Sequence, residues 1–355
     1  MALRVVVGYT GGVGSTVVRL VQGNPAFELV GVLVHSEDKD GKDAGDIVGI
    51  PPTGVIATRD VDALIGLKAD VLAWHGIDWQ PELIARFMRA GTSVYSSHGG
   101  WFLPSEPSYN LIQAAGEEGG SALIAGGNIP GLISDVLPLF AAGYSADVTF
   151  VRAWQKDHVP NYPSAFQLGE FLGFGQEIPE RVDLDGELSF ADASWQWCIG
   201  QSAQIVAQAL GIPYDGTKLT KKEFGAAPED LTLQPSGLHI PKGHVAGARW
   251  TLTAYSNGKP FYELVNEQSA VLGLGDDWRS DINEPNWRVV VEGSPSIELQ
   301  FGLPGSHDGP DHVAALNAAR AVACLPGVAA TQKTGWVTVL DLPAPVGVAS
   351  AALQA

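Results

Sequence analysis

Three glycines, Gly8, Gly11 and Gly14, stand three residues apart directly after the valine-rich run Leu3-Arg4-Val5-Val6-Val7. Apolar residues then resume at helical spacing in Val17-Val18-Arg19-Leu20-Val21. Strand, glycine turn and helix in that order make a site for a pyrophosphate. Glycine lets the backbone approach the phosphates closely, and the unpaired N–H groups of the first helical turn point at their charge. A second strand, ending at Val34, follows one βαβ unit later, as a dinucleotide-binding fingerprint requires. Gly8, Thr10, Gly11, Gly12, Val13 and Gly14 are therefore the expected phosphate contacts. Ser15 follows Gly14 and not a lysine, so the loop is not of the nucleotide-hydrolase type.

The residues ending the second strand meet the ribose beside adenine. An acid there would bond both hydroxyls and exclude a 2′-phosphate. This chain has His35 and Ser36, followed by Lys39 and Lys42, a set that favours NADP(H) and still admits NAD(H). In an open parallel sheet, ligands sit beyond the carboxyl ends of the strands. The tips Trp74-His75-Gly76 and Ser96-Ser97-His98-Gly99-Gly100 thus join the same crevice, with His75 and Ser97 as cofactor contacts. A nicotinamide carries hydride without a protein nucleophile, so the chain must add proton handling and orientation. Glu106 is the candidate, a carboxylate among Trp101, Phe102, Pro104 and Pro107. Later, Trp154, Asp157 and Tyr162 stand at or just after the first strand of a second region, and Phe166 and Phe171 follow as a wall. These five are the expected substrate pocket. The eight histidines are scattered and the two cysteines far apart, so no metal site is expected.

The elements that must position these groups follow from periodicity. Strands are expected at residues 27–36, 55–59, 70–76, 93–98 and 121–126, with helices at 61–65, 81–88, 111–118 and 132–140 between them. Such alternation predicts a doubly wound parallel sheet, an N-terminal Rossmann domain over residues 1–145. Beyond it, strands at 147–154, 238–240, 245–256, 260–266 and 287–292 succeed one another, with a helix at 194–210. Residues 146–355 are therefore expected to form an α+β substrate domain with a mixed or antiparallel sheet. A helix at 312–323 and a strand at 336–340 come late, and the C-terminal segment is expected to pack back on the first domain.

Bulk properties agree. At 355 residues, two domains are the prior. Apolar residues make up 45 % and charged ones 17 %, a globular balance. A net charge of −18 speaks against nucleic acid or an anionic membrane surface as a partner. No run approaching the ~20 apolar residues of a membrane span is expected, nor is a signal peptide ahead of the first strand. Cys198 and Cys324 read as free thiols in a reducing, cytoplasmic setting.

Several stretches carry a resemblance. They are residues 8–14; Val34-His35-Ser36 with Lys39, Gly41, Lys42, Asp43-Ala44-Gly45 and Gly49; and Gly127-Asn128-Ile129-Pro130-Gly131 with Asp135-Val136-Leu137-Pro138. Asp157 and Tyr162 leading to Gly173-Phe174-Gly175, Ile240-Pro241 with Gly243, Val245-Ala246-Gly247, and Val290-Val291-Glu292-Gly293-Ser294-Pro295 continue it. With these the chain resembles the dihydrodipicolinate-reductase-like superfamily, and within it the branch of 2,4-diaminopentanoate dehydrogenases and native amine dehydrogenases. The resemblance implies NAD(P)H-dependent reductive amination of small aldehydes or ketones with ammonia, the reverse oxidative deamination, and a homodimer formed through the second domain's sheet. It implies a nicotinamide near Asn128 and Pro130, and Glu106 as the group that activates ammonia and supports the iminium. Close relatives carry glycine and asparagine where this chain has Tyr9 and Gly12, and diaminopentanoate dehydrogenases carry a Glu-Glu pair where it has Gly99-Gly100. Dihydrodipicolinate reduction itself is excluded, because the paired histidines of that enzyme type are missing. The alternatives are a carbonyl or imine reductase that ignores ammonia, and a non-catalytic NADP(H) sensor, since fold alone does not define function.

Overall fold

The computed structural model describes residues 2–76, 78–97, 107–303 and 310–347. It divides into two compact units, Met1–Asn128 with Ala314–Ala355, and Ile129–Val313.

The first unit is a wholly parallel sheet with helices on both faces. In chain order it contains β1 (Leu3–Gly8), α1 (Gly12–Gln22), β2 (Phe27–Leu33), α2 (Ala44–Val48), α3 (Val61–Gly66), β3 (Val71–Trp74), α4 (Pro81–Arg89), β4 (Ser93–Ser96), α5 (Tyr109–Gly119) and β5 (Ala122–Ala125). β1 is buried on both faces, as a central parallel strand must be. Val5 and Val7 pack with α1 residues Val17, Val18 and Val21, whereas Val6 packs with Leu72, Ile84 and Phe87 on the opposite side. Pro81 opens α4 at the position where its missing N–H costs nothing.

The strand expected at residues 55–59 does not form; only single bridges, Thr58 to Leu33 and Ile56 to Asp43, remain. The Asp43 carboxylate organises the turn just ahead of this segment. It accepts hydrogen bonds from the backbone N–H groups of Gly45, Thr53 and Gly54, at 2.6, 2.9 and 2.8 Å. Those bonds hold its ionisation below the usual carboxylate range.

The second unit begins earlier than the Ser145 boundary expected from the sequence. A π-helical turn, Leu132–Val136, and α6 (Leu137–Ala142) lie ahead of Ser145 and pack on this unit's sheet. The sheet contains β6 (Ala146–His158), β7 (Gly216–Ala226), β10 (Val245–Ser256), β11 (Lys259–Ser269), β12 (Trp287–Ser294) and β13 (Ile297–Phe301), with α7 (Phe190–Leu210) also packed on it. The short strands β8 (Leu231–Thr232) and β9 (His239–Ile240) pair separately. The sheet order is β13-β12-β6-β11-β10-β7. Only β6 and β11 run parallel, so the sheet is mixed. β7 and β13, absent from the sequence expectation, are the two edges. An edge strand shows apolar residues sparsely and carries lysines against unwanted pairing, as Lys218 and Lys221 do in β7.

α8 (Pro310–Ala330) and β14 (Gly335–Trp336) complete the chain. β14 pairs with β5, giving the first sheet the order β14-β5-β4-β3-β1-β2. One expectation fails here: His312–Ala330 is long and apolar enough to cross a membrane, with a mean hydropathy of 1.5. A core helix passes the same test. Ala318, Ala321, Val322, Leu325 and Val328 are buried in the cluster that holds Val5 and Val7.

Candidate cofactor and substrate sites

β1 ends at Gly8, and α1 starts at Gly12 with Gly11 as its cap. No side chain caps this helix and no acid lies in its first turn. Gly11 and Gly12 are exposed, so the free N–H groups of the turn stay available to an anion. Gly14 is required for a different reason. A Cβ there would stand 2.0 Å from the Tyr9 carbonyl oxygen, so any side chain would part the helix from the strand end. Tyr9 itself has φ +69°, the left-handed region that most side chains pay about 1–2 kcal/mol to enter. Its ring packs edge-on against Trp74 at 5.0 Å, which offsets that strain.

Around this loop the structure gathers several of the expected residues. The Lys39 ammonium lies 3.0 Å from Thr10 Oγ1, placing a cation at the edge of the glycine turn. His35 is exposed and Ser36 half-buried, just past the end of β2. The Asp38 carboxylate is held low chiefly by the Ser36 hydroxyl, so an acid also stands in this loop. At the end of β3, His75 is half-buried and its Nδ1 lies 2.9 Å from Ser97 Oγ. Desolvation pushes its pKa down to about 3, so the imidazole is neutral and offers hydrogen bonds rather than a proton. His75 Nε2 is buried and has no partner among the described residues. An uncapped helix start, a glycine that admits no Cβ, and an orphaned ring nitrogen beside it fit a dinucleotide's phosphates and ribose. Asn128 is buried at the end of the first unit's main stretch, and Pro130 belongs to the second unit. Glu106 lies outside the described residues.

In the second unit, strand alternation separates two residues expected to share a pocket. β6 runs through His158, so Asp157 lies within the strand and not after it. Trp154 and Asp157 are three residues apart and face opposite sides of the sheet. Trp154 stands on the face without a described helix, between the guanidinium groups of Arg152 and Arg288 at 5.6 and 4.8 Å from its ring. Arg249–Glu267, Arg152–Glu263 and Lys221–Glu223 ion pairs cover the same face.

Asp157 is on the other face, buried with Gln155 and Gln268. Its Oδ2 accepts from Gln155 Nε2 at 2.7 Å and Gln268 Nε2 at 3.1 Å. Desolvation outweighs these donors and the nearby Arg279, raising its pKa to about 6. Tyr162 and Phe166 are exposed, Phe166 at the start of a second π-helical turn, Gln167–Phe171. Phe171 ends that turn and packs on Trp195 at 5.7 Å. Sequence reasoning missed Trp195, Trp250, Asn266 and Gln268. The available signal was the run Asn266-Glu267-Gln268-Ser269, four polar residues in succession that extend β11 and are all buried.

The comparisons with known proteins agree with this geometry. The model of the dihydrodipicolinate reductase N-terminus matches residues 4–79. An amine dehydrogenase from Streptomyces virginiae is 28 % identical over 327 residues, which cover 88 % of each chain. Among solved structures, the amine dehydrogenase from Mycobacterium smegmatis superimposes with a TM-score of 0.71 at 18 % identity, covering 98 % of this chain and 97 % of that one. An apo scyllo-inositol dehydrogenase from Lactobacillus casei gives 0.51 at 11 % identity, covering 92 % and 88 %. Both superpositions support a Rossmann domain joined to a mixed-sheet domain. The resemblance read from the motifs, to the dihydrodipicolinate-reductase-like superfamily and its amine dehydrogenases, therefore holds in sequence and in fold.

Proposed function

We propose that the protein is an NAD(P)H-dependent amine dehydrogenase that aminates small aldehydes and ketones with ammonia and runs the reverse deamination. The observation that carries this is the bare, acid-free start of α1 at the end of β1, in a chain most of whose length resembles an amine dehydrogenase. A nicotinamide supplies the hydride when bound. The first-turn N–H groups of α1 hold its pyrophosphate, and Thr10 flanks it. Lys39, with His35 and Ser36, favours NADP(H). His75, kept in place by Ser97, offers Nε2 to a ribose hydroxyl, and Asn128 contributes from the end of its segment.

Glu106 accepts a proton from ammonium and steadies the cationic iminium. Asp157, Tyr162, Phe166 and Phe171 are the substrate contacts of the second unit. The open face around Trp154 is the proposed homodimer surface, where the laced ion pairs meet those of a second copy. The half-buried Cys198 and buried Cys324 are unlinked, in keeping with a cytoplasmic enzyme.

The test is NADPH oxidation with a panel of small carbonyls, with and without ammonium. Turnover is expected only with ammonium. Replacing Glu106 by alanine should lower it by about 100-fold or more and leave cofactor binding intact. Turnover that ignores ammonium refutes amination, and full activity in Glu106→Ala refutes the role given to that residue.

A further inference from the structure

Two N–H groups of the second unit are buried without a hydrogen-bond partner among the described residues, Asn266 Nδ2 and Trp195 Nε1. Both flank one indole. Asn266 stands directly opposite Trp250 in the β10–β11 ladder. The Trp195 ring lies 5.8 Å from the Trp250 ring. Asn266 is fully buried. Burying an amide donor without an acceptor is unfavourable, and an apolar side chain of the same size would avoid the penalty.

The polar groups around them are engaged. Trp250 Nε1 donates to Asp192 Oδ1 at 2.7 Å, and Asp192 also takes the Lys222 ammonium at 2.8 Å. Gln268 Nε2 donates to both Asp157 Oδ2 and Asn266 Oδ1, at 3.1 and 3.0 Å. Trp287 Nε1 donates to Gln155 Oε1 at 3.0 Å. What the two remaining donors lack is an acceptor.

Aromatic rings run from Trp195 to the surface. Phe190 is 79 % exposed and packs on Phe171 at 6.3 Å, and Phe171 packs on Trp195 at 5.7 Å. Charge narrows the choice of acceptor. The buried Asp157 carboxylate beside Gln268 disfavours a second anion, and the Lys222 cation is already neutralised by Asp192. The geometry points to a donor subsite, formed by Asn266 and Trp195, that binds a neutral oxygen of the substrate, an ether, hydroxyl or amide oxygen remote from the reacting carbon. This assignment rests on the amine dehydrogenase reading and names its substrate class.

The test uses an isosteric pair, 3-methoxypropanal and pentanal, which differ by one oxygen in place of a methylene. With ammonium and NADPH, the protein should favour the ether aldehyde by about tenfold in kcat/KM. Asn266→Leu should abolish that preference. Trp195→Phe keeps an aromatic ring at this position, removes the N–H together with the pyrrole half of the indole, and should reduce the preference at least threefold even if the leucine variant fails to fold. Equal use of the two aldehydes by the unaltered protein overturns the subsite, as does a preference that survives in Trp195→Phe. Binding of 3-methoxypropylamine and pentylamine, followed by tryptophan emission, separates the two readings. If neither aldehyde is turned over, amination falls. Tighter binding of the ether amine still upholds the donor subsite, and equal binding overturns it.

Discussion

Replacing Gly14 by alanine separates what the glycine turn does for the fold from what it does for a ligand. The added Cβ would lie 2.0 Å from the Tyr9 carbonyl oxygen and 3.0 Å from its carbonyl carbon. Non-bonded heavy atoms sit about 3.5 Å apart, so α1 and the end of β1 must part by more than about 1 Å. Tyr9 has little freedom to yield, because its φ is already +69° and its ring is set against Trp74. Overpacking costs about 1–3 kcal/mol, and the clash here is with backbone, so the upper end applies. For a unit of this size about 3 kcal/mol corresponds to a Tm lowered by about 6–12 °C. Gly11→Ala is the control: φ is −74° and no atom lies within 4 Å of the added carbon. That variant should melt within about 1 °C of the parent and yet bind NADPH about tenfold more weakly, since its methyl stands where a pyrophosphate approaches. Differential scanning fluorimetry and tryptophan-emission titration read both effects. A Gly14→Ala protein with the parent's Tm would refute the close-approach argument. Parental NADPH affinity in a folded Gly11→Ala would refute the phosphate site.

Lys39→Ala should weaken NADPH by about fivefold to tenfold and leave NADH nearly unchanged, as expected for a half-exposed ammonium on a 2′-phosphate; equal losses for the two cofactors would move Lys39 away from that phosphate. Asp157 makes a prediction about pH. Its folded-state pKa of about 6 lies above the ordinary 3.8, so the folded chain holds this proton more tightly than the unfolded one. Its contribution therefore declines as pH rises from about 4 to about 6 and is constant above, a loss of about 3 kcal/mol. Asp157→Asn should gain stability relative to the parent across that window in urea titrations, and a difference that does not change with pH would show that the carboxyl titrates normally.

Local patterns determined much of this protein. Valines followed by spaced glycines define a strand, a turn and a helix start, because chain geometry over a dozen residues needs no distant partner. The doubly wound first domain and the strand-rich second one were likewise legible, since the spacing of apolar residues reports which faces are covered. Partners distant in the chain decided the rest. Residues 55–59 looked like a strand, but in the fold they keep only isolated bridges, Thr58 to Leu33 and Ile56 to Asp43. The polar edges β7 and β13 become strands only because a neighbour supplies their hydrogen bonds. Trp154 and Asp157 are close in the chain, yet the exact end of β6 sets them on opposite faces. The elevated pKa of Asp157 and the two donors beside Trp250 also belong to the tertiary structure, because desolvation and the loss of an acceptor arise only when separate strands and a helix close over the same side chains.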